Sequence, residues 1–144
     1  MLVERKSRLV LLARMDDCSA ASALAGFAAK LKTIPDELRL SLTYDQGKEM
    51  ARHADLTAQT GMPVYFCDPH SPWQRGTCEN TNGLLRQFLP KGTDLSVHTQ
   101  EDLDYIAAAA LNGWPRQTLG WNCPLYFFED LLKQHQSASQ AVAT

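Results

Sequence analysis

The chain has 144 residues, which is enough for one domain with a hydrophobic core but not comfortably for two. Hydrophobic residues make up 44% and charged residues 21%, which is typical of a globular protein. The formal net charge of −2 argues against a free-standing nucleic-acid binder, which would be basic, although not against a core whose affinity for nucleic acid comes from another domain.

No segment of the sequence indicates export, a membrane span or a zinc site. The charged stretch from Glu4 to Arg8 interrupts any apolar signal sequence, and no apolar run approaches the ~20 residues that span a bilayer. The four cysteines form no C-x-x-C pair, and the four histidines have no metal-ligand spacing. We therefore expect a cytoplasmic protein without membrane contact, whose cysteines are reduced and buried or half-buried.

The N-terminal part predicts a hairpin followed by a helix. Leu2-Val3 forms a short strand, a polar turn follows, and residues 8–14 form a second strand. Asp16 and Asp17 supply carboxylates for the start of a helix over residues 20–31.

A strand, a helix and another strand are predicted next. Residues 38–44 alternate between apolar and polar side chains, which is typical of a strand, and Asp45 follows directly. A helix over residues 49–60 ends at Gly61, and residues 63–67 form a short buried strand.

A proline-containing loop over residues 68–76 then leads to a helix with an acid in its first turn. Thr77 is the predicted N-cap of a helix over residues 78–89, and Glu79 is the acid. We place His70 of the loop near this acid.

Two further helices are predicted towards the C-terminus. One begins at Thr99 and ends near Leu111, and the last extends from Pro124 to about Gln134. Residues 1–135 thus form one domain, and residues 136–144 form a flexible tail.

Asp45 and Glu79 are the candidate catalytic residues and metal ligands. One acid ends a strand and the other opens a helix, so both can converge on the two divalent ions that phosphodiester chemistry uses. Each also has a simpler interpretation, since Asp45 suits a turn after a strand and Glu79 suits the dipole of a helix start. Glu49 is interpreted as a helix-start acid and Asp68 as a turn residue, and spacing alone does not decide between these interpretations.

The sequence around both acids resembles the C-terminal catalytic core of bacterial insertion-sequence DDE transposases, most closely the insertion-sequence thirty family. The most specific stretches are Ser71-Pro72-Trp73-Gln74-Arg75-Gly76 and Glu79-Asn80-Thr81-Asn82. The other matching segments are residues 2–8, 42–50, 64–69, 83–87, 90–95, 111–112 and 115–120. The resemblance implies an α/β, RNase H-like (retroviral-integrase-like) core with a mixed sheet flanked by helices, and residues 1–135 as part of that core.

The resemblance also implies DNA cleavage and strand transfer with two Mg²⁺ or Mn²⁺ ions, with Asp45 as the second acid of the triad and Glu79 as the third. The implied partners are DNA at transposon ends and at the target, and a second copy or a full-length transposase. The implied DNA-binding residues are Trp73, Gln74, Arg75, Asn82, Arg86 and Arg116. For the arginines, an ordinary surface or structural role is an equal alternative.

The chain departs from this family in two respects. The first catalytic Asp and the central strand that carries it are missing, and Glu4 lies in the wrong strand to replace that acid. Trp114 stands where the family typically has arginine. We therefore expect a transposase fragment that is inactive alone, or a non-enzymatic fragment that binds DNA or a transposase. The missing strand is expected to leave an altered pairing, a loosened fold or a gap that another chain fills.

Overall fold

The computed structural model describes residues 1–44 and 47–143, with side chains described as far as residue 138. Two strands come first, strands and helices then alternate, and the C-terminal half is helical. In chain order they are β1 (Leu2–Val3), β2 (Val10–Leu11), α1 (Ala20–Leu31), β3 (Leu42–Tyr44), α2 (His53–Thr60), β4 (Val64–Phe66), α3 (Gly76–Leu85), α4 (Gln100–Tyr105) and α5 (Pro124–Ala143). The predicted α/β class is confirmed.

The predicted N-terminal hairpin is confirmed, with a second strand shorter than predicted. β1 and β2 are antiparallel, with Leu2 opposite Leu11 and Val3 opposite Val10. The carboxylate of Glu4 closes the turn, because it accepts hydrogen bonds from the backbone N–H groups of Lys6 at 3.0 Å and Ser7 at 2.6 Å. Glu4 is therefore a turn residue of the hairpin.

Helix α1 has the predicted bounds, but its predicted cap is wrong. Ser19 is the N-cap, and its hydroxyl accepts a hydrogen bond from the N–H of Ser22. Asp17 lies two residues before this N-cap, and its Oδ1 accepts a hydrogen bond from the N–H of Ser19 at 2.9 Å. Hydrogen bonds from Ser19 and Ser22 lower the pKa of Asp17 to about 2.

Strands β3 and β4 pair in parallel, with Leu42 opposite Val64 and Tyr44 opposite Phe66. The helix between them ends as predicted at Gly61, whose φ of 72° is left-handed. The prediction that β4 is buried is wrong, because Tyr65 and Phe66 are 58% and 38% exposed. Among the described residues β4 pairs only with β3, so much of its surface is uncovered.

The expected single mixed sheet is not formed by the described residues. They contain two separate two-stranded sheets, the antiparallel β1–β2 hairpin and the parallel β3–β4 pair, and no backbone pairing joins them. The physical reason is that no described strand pairs with strands of both sheets, so the hydrogen-bond ladder does not continue from one sheet to the other.

The hairpin lies between two hydrophobic clusters, because side chains alternate between the two faces of a strand. Leu2 packs in the first cluster with Leu24 and Phe27 of α1, and Leu42 and Tyr44 of β3 pack against it. The second cluster packs one side chain of β2 against side chains from the C-terminal half. Its buried members are Val10, Leu12, Leu85, Leu89, Ala107 and Leu111.

Helix α4 begins as predicted, with a capping box between Thr99 and Asp102. It continues as a π-helix over Ile106–Asn112, which brings Asn112 against the outer edge of β2. The side-chain Oδ1 of Asn112 accepts from the N–H of Val10 at 2.7 Å, and its Nδ2 donates to the Val10 carbonyl at 2.9 Å. One side chain thus pairs with β2 as a neighbouring strand would.

The C-terminal ends of α3 and α5 differ from their predictions in opposite directions. Helix α3 ends at Leu85 instead of residue 89, and α5 continues to Ala143 instead of ending near Gln134. The predicted mobility of residues 136–144 stays a prediction. None of the helices in the described part of the chain has the length and apolar character needed to cross a membrane.

Replacing Asn112 with alanine is expected to lower the free energy of unfolding by about 2–4 kcal/mol, because Val10 would keep a buried N–H and a buried carbonyl without partners. Urea unfolding followed by circular dichroism measures the change. The matched control is Asn80→Ala, an exposed position where an effect within about 0.5 kcal/mol is expected. Equal effects at the two positions would contradict the role of Asn112.

Replacing Asp17 with asparagine is expected to make the free energy of unfolding depend less on pH in the acid range. The folded-state pKa of Asp17 is about 2, below its ordinary value of 3.8, so its contribution is present above about pH 4 and is lost as the pH falls to about 2. Melting temperatures measured between these pH values should fall more steeply for the original chain than for Asp17→Asn. Parallel curves would contradict this assignment.

Candidate functional site

Only one of the two predicted catalytic acids can be placed. Glu79 lies in the first turn of α3, and 54% of its side chain is exposed. Asp45 lies outside the described residues. The described neighbours of Asp45 are Tyr44 at the end of β3 and Gly47, from which the chain enters a short 3₁₀ turn over Lys48–Met50.

The two sides of α3 have opposite character. Thr81 and Leu85 form its buried side, and Leu85 belongs to the second hydrophobic cluster. Another side carries four predicted site residues at spacings of four, three and four, from Arg75 at the N-cap to Arg86 at the C-cap. These residues are Arg75, Glu79, Asn82 and Arg86. We call this set the polar face of α3.

The polar face is exposed, apart from half-buried Arg75 at its N-terminal end. The guanidinium Nη2 of Arg75 lies 4.0 Å from Oε1 of Glu79, at the limit of an ion pair. At the other end, Nη1 of Arg86 donates to the Leu89 carbonyl at 3.3 Å. The cationic side chains thus flank the carboxylate of Glu79 along the helix.

The loop before α3 is fixed by a reciprocal contact between two of its own residues. The Oε1 of Gln74 accepts from the N–H of Asp68 at 2.9 Å, and its Nε2 donates to the Asp68 carboxylate at 3.0 Å. The chain then makes a 3₁₀ turn over Pro72–Arg75 and continues directly into α3. Gln74 is therefore engaged in the loop, whereas Trp73 is 75% exposed and available to a ligand.

A cleft of about 370 Å³ lies beside this loop. Its lining includes His70 and Arg75, and Arg75 connects the cleft to the polar face. The prediction that His70 lies near Glu79 stays a prediction. The remaining lining residues are Gly47, Cys67, Asp68, Pro69, Ser71 and Pro72. The cleft therefore brings the segment after Asp45 together with the segment before Glu79.

The Glu49 side chain lies against Gly47, which lines the cleft. The sequence did not predict this position of Glu49. Its carboxylate accepts a hydrogen bond from the hydroxyl of Tyr44 at 3.0 Å. A Cβ atom at position 47 would lie 2.6 Å from that carboxylate, so a larger residue there would require the Glu49 side chain to move. Glu49 was interpreted as a helix-start acid, and its fold-back onto Tyr44 required the tertiary structure.

Arg8 is a second residue that sequence reasoning missed. Its guanidinium Nη1 donates to the hydroxyl of Thr77, which joins the turn of the hairpin to the first turn of α3. The prediction that Thr77 caps α3 is wrong, because the preceding 3₁₀ turn runs straight into the helix and the N-cap position is Arg75, without a side-chain cap. Thr77 therefore contacts the hairpin and helps to fix the helix that carries Glu79.

Arg116 lies apart from the polar face and has a structural contact. Its guanidinium Nη2 donates to the Leu111 carbonyl at 2.8 Å, and burial lowers the pKa of this group. Its backbone pairs with Asn122. Trp114 is half exposed and packs edge-to-face on Phe88, with ring centroids 6.2 Å apart. DNA contacts by Arg116 stay a prediction.

The described residues by themselves do not form a metal site. No three His, Cys, Asp or Glu side chains among them are grouped to bind an ion. Glu79 does offer an exposed carboxylate, which is the type of ligand that Mg²⁺ prefers, and its neighbour Arg75 lines the cleft. The described structure therefore contributes one carboxylate of the fitting type.

The cysteines carry no disulfide among the described residues. Cys67 is buried, Cys78 and Cys123 are half-buried, and Cys18 is exposed, so the expectation of buried or half-buried thiols is wrong for Cys18. Burial raises the pKa of the Cys78 thiol, which lies on α3 beside Glu79 in the sequence.

Several transposases are similar to this chain over most of its length. The transposase for insertion sequence element IS1086 of Cupriavidus metallidurans is 67% identical over 132 residues, which are 92% of this chain and 39% of that protein. The transposase InsI for insertion sequence element IS30A of Escherichia coli is 50% identical over 128 residues, 89% of this chain and 33% of that protein.

More distant similarity includes the probable transposase for insertion-like sequence element IS1161 of Streptococcus salivarius. It is 35% identical over 129 residues, 89% of this chain and 35% of that protein. The chain thus spans between a third and two-fifths of the length of these curated relatives. No family model matches the chain.

Replacing Thr77 with valine is expected to loosen the start of α3, because the variant keeps the shape of the side chain but loses the acceptor for Arg8. A loss of about 1 kcal/mol would make the amides of residues 77–81 exchange about fivefold faster with solvent. Hydrogen exchange measured by NMR tests this, with Lys6→Ala as a control in the same turn. Unchanged exchange in Thr77→Val would contradict the positioning role.

Proposed function

We propose that this chain, which belongs to the IS30 family of transposases and corresponds to part of such a protein, forms part of a core that cuts and joins DNA. The observation that carries the proposal is the polar face of α3, where exposed Glu79 lies along the helix between Arg75, which lines the cleft, and Arg86. Its proposed substrates are transposon ends and target DNA.

Asp45 and Glu79 are the proposed ligands of Mg²⁺ or Mn²⁺. When bound, such ions activate the attacking oxygen and stabilise the leaving oxygen of a phosphodiester. Glu79 fits this role by its exposure and by its place at the start of a helix, where the backbone fixes the position of the side chain. Asp45 fits by its place directly after β3, on the segment that leads to the cleft at Gly47.

The polar face supplies the remaining interactions with the DNA backbone. A helix rises 1.5 Å per residue, so the side chains from Glu79 to Arg86 extend over about 10 Å, or roughly three base pairs of one strand. Arg75 and Arg86 are the proposed phosphate contacts at the two ends, with Asn82 between them. Trp73, exposed at the loop, is proposed to stack on an unpaired base.

We further propose that the two sheets are parts of one RNase H-like sheet. The hairpin is antiparallel, the β3–β4 pair is parallel, and strands of both pack against the same cluster under α1. A strand inserted between β1 and β3 would join them into the mixed sheet that the resemblance implies. That strand would also bring the third carboxylate of the family site, so the chain alone is proposed to be inactive.

The first test is calorimetric titration of MnCl₂ and MgCl₂ into the chain, Asp45→Asn and Glu79→Gln. We expect weak binding by the original chain, about tenfold weaker binding by each variant, and no cleavage of transposon-end DNA. Matched controls are Asp130→Asn and Glu129→Gln on the exposed side of α5, which should bind like the original chain. Binding that is indifferent to positions 45 and 79, or strong metal-dependent cleavage by this chain alone, would refute the proposal.

A further inference from the structure

We propose that the turn of the β1–β2 hairpin is a second DNA-contact site, in which the exposed side chains of Arg5 and Lys6 bind phosphates next to those held on the polar face of α3. The inference rests on the proposed function, because it takes DNA as the substrate. It deepens that function by adding a contact that lies outside α3 and its loop and does not depend on metal binding.

The hairpin turn has a charge opposite to that of the whole chain. Residues 4–8 contain three cationic side chains and one carboxylate, whereas the chain has a net charge of −2. The carboxylate of Glu4 accepts hydrogen bonds from the backbone N–H groups of Lys6 and Ser7, so it is engaged within the turn. Arg5 and Lys6 are both exposed, and they present the positive charge of the turn to solvent.

Neither Arg5 nor Lys6 uses its charge inside the described part of the protein. Within that part of the chain, neither side chain forms an ion pair with a carboxylate. By contrast, the ammonium group of Lys30 is paired with Asp104. The turn thus carries two adjacent cations whose charge is available to an anionic ligand.

The turn is held in one conformation by contacts at both of its ends. Arg8 has a φ of 63°, a left-handed conformation that residues other than glycine rarely adopt. Its N–H donates to the Glu4 carbonyl at 2.8 Å, and its guanidinium donates to Thr77 on α3. Ser7 is fully buried, and its hydroxyl accepts from the N–H of Leu9 at 3.2 Å. A backbone that is fixed beforehand loses little conformational freedom when a phosphate binds, which favours binding.

The hairpin turn lies against the first turn of α3, next to the polar face. Arg8 of the hairpin contacts Thr77 of the helix. Successive residues of a helix are rotated by about 100°, so Cys78 lies between Thr77 and Glu79 around the helix axis. The side of α3 that meets the hairpin is therefore separated from Glu79 by the position of Cys78.

The electrostatic surroundings of Cys78 place Arg5 near the start of the polar face. Burial raises the pKa of the Cys78 thiol, and the positive charges of Arg75 and Arg5 oppose this shift because they stabilise the thiolate. Both guanidinium groups must lie near the same thiol to have this effect. Packing of β1 against α3 supports this placement independently. The two cationic groups thus approach Cys78 from different elements, Arg75 from the polar face and Arg5 from the hairpin.

This arrangement fits the regular row of charges along DNA. One strand carries a phosphate for about every 3.4 Å of duplex length, so a strand on the ~10 Å polar face has further phosphates beyond that face. Phosphates on the hairpin side of α3 lie within the range of Arg5 and Lys6. Such contacts fix the position of DNA on a protein without reading its sequence. We therefore assign DNA, and not an acidic protein segment, as the ligand of the turn.

The test measures binding of the full chain to a fluorescent DNA duplex by fluorescence anisotropy, in EDTA and over a range of low NaCl concentrations. The double variant Arg5→Ala/Lys6→Ala is expected to bind about tenfold more weakly, and its slope of log affinity against log salt should be smaller by about 2, or about 1 for each lost phosphate contact. The loss should be equal for two unrelated duplex sequences, because phosphate contacts carry no sequence information.

Two control variants separate a phosphate contact from a general effect of charge. Lys32→Ala/Lys133→Ala removes the same number of positive charges from exposed positions at the end of α1 and on α5, and its salt slope should be nearly unchanged. Arg5→Lys/Lys6→Arg keeps both charges on the turn and should retain the affinity within about twofold. Circular dichroism spectra should be the same for all variants, because every substituted side chain is exposed.

Four results would overturn the inference. The first is absence of duplex binding by the original chain at low salt. The second is an unchanged salt slope in Arg5→Ala/Lys6→Ala, and the third is an equal change of slope in the Lys32→Ala/Lys133→Ala control. The fourth is binding of a poly-glutamate peptide as tightly as the duplex, which would identify an acidic protein segment as the ligand. Because EDTA removes metal ions from this assay, failure of the calorimetric metal titration would refute the proposed metal chemistry and leave a positive result here intact.

Discussion

The pairing of the Asn112 amide with both backbone groups of Val10 connects the hairpin to the C-terminal half of the chain. Around this contact, Val10 and Leu12 pack with Leu85, Leu89 and Leu111 in the second hydrophobic cluster. The contact is buried, so its polar groups have no access to water and depend on each other. The π-helix over Ile106–Asn112 ends at the residue whose amide reaches β2.

The orientation of the candidate site depends on that cluster. Leu85 anchors the buried side of α3, and the helical period then directs Glu79, Asn82 and Arg86 to solvent. The contact between Arg8 and Thr77 fixes the start of the same helix to the hairpin. The exposed carboxylate is thus held by apolar packing on one side of α3 and by one charged hydrogen bond at its end.

The two sheets meet at one hydrophobic cluster. The β2 edge of the hairpin is closed by the side chain of Asn112, and no strand among the described residues pairs with both sheets. Leu2 of β1 and Leu42 of β3 pack on the cluster under α1. Helices α1 and α2 contribute buried side chains to that cluster, so the two sheets share a packed core without backbone pairing.

Several elements could be predicted from local patterns of residues. The hairpin, the bounds of α1, the Gly61 end of α2 and the capping box at Thr99 follow from periodicity, turn chemistry and short-range hydrogen bonds, which neighbouring residues supply. The motif from Ser71 to Asn82 was sufficient to indicate the transposase family. It also marked Glu79 and the residues that share its helix face, because helical spacing is fixed by the chain.

Contacts between distant segments could not be predicted in this way. Asn112 on Val10, Arg8 on Thr77 and the fold-back of Glu49 onto Tyr44 each depend on how elements pack, which no local pattern encodes. Exposure of β4 and the separation of the two sheets have the same origin, since strand pairing depends on which strands are present and where they lie. Local sequence patterns thus predict the helix or strand on which a residue lies, whereas tertiary packing determines which residues are in contact.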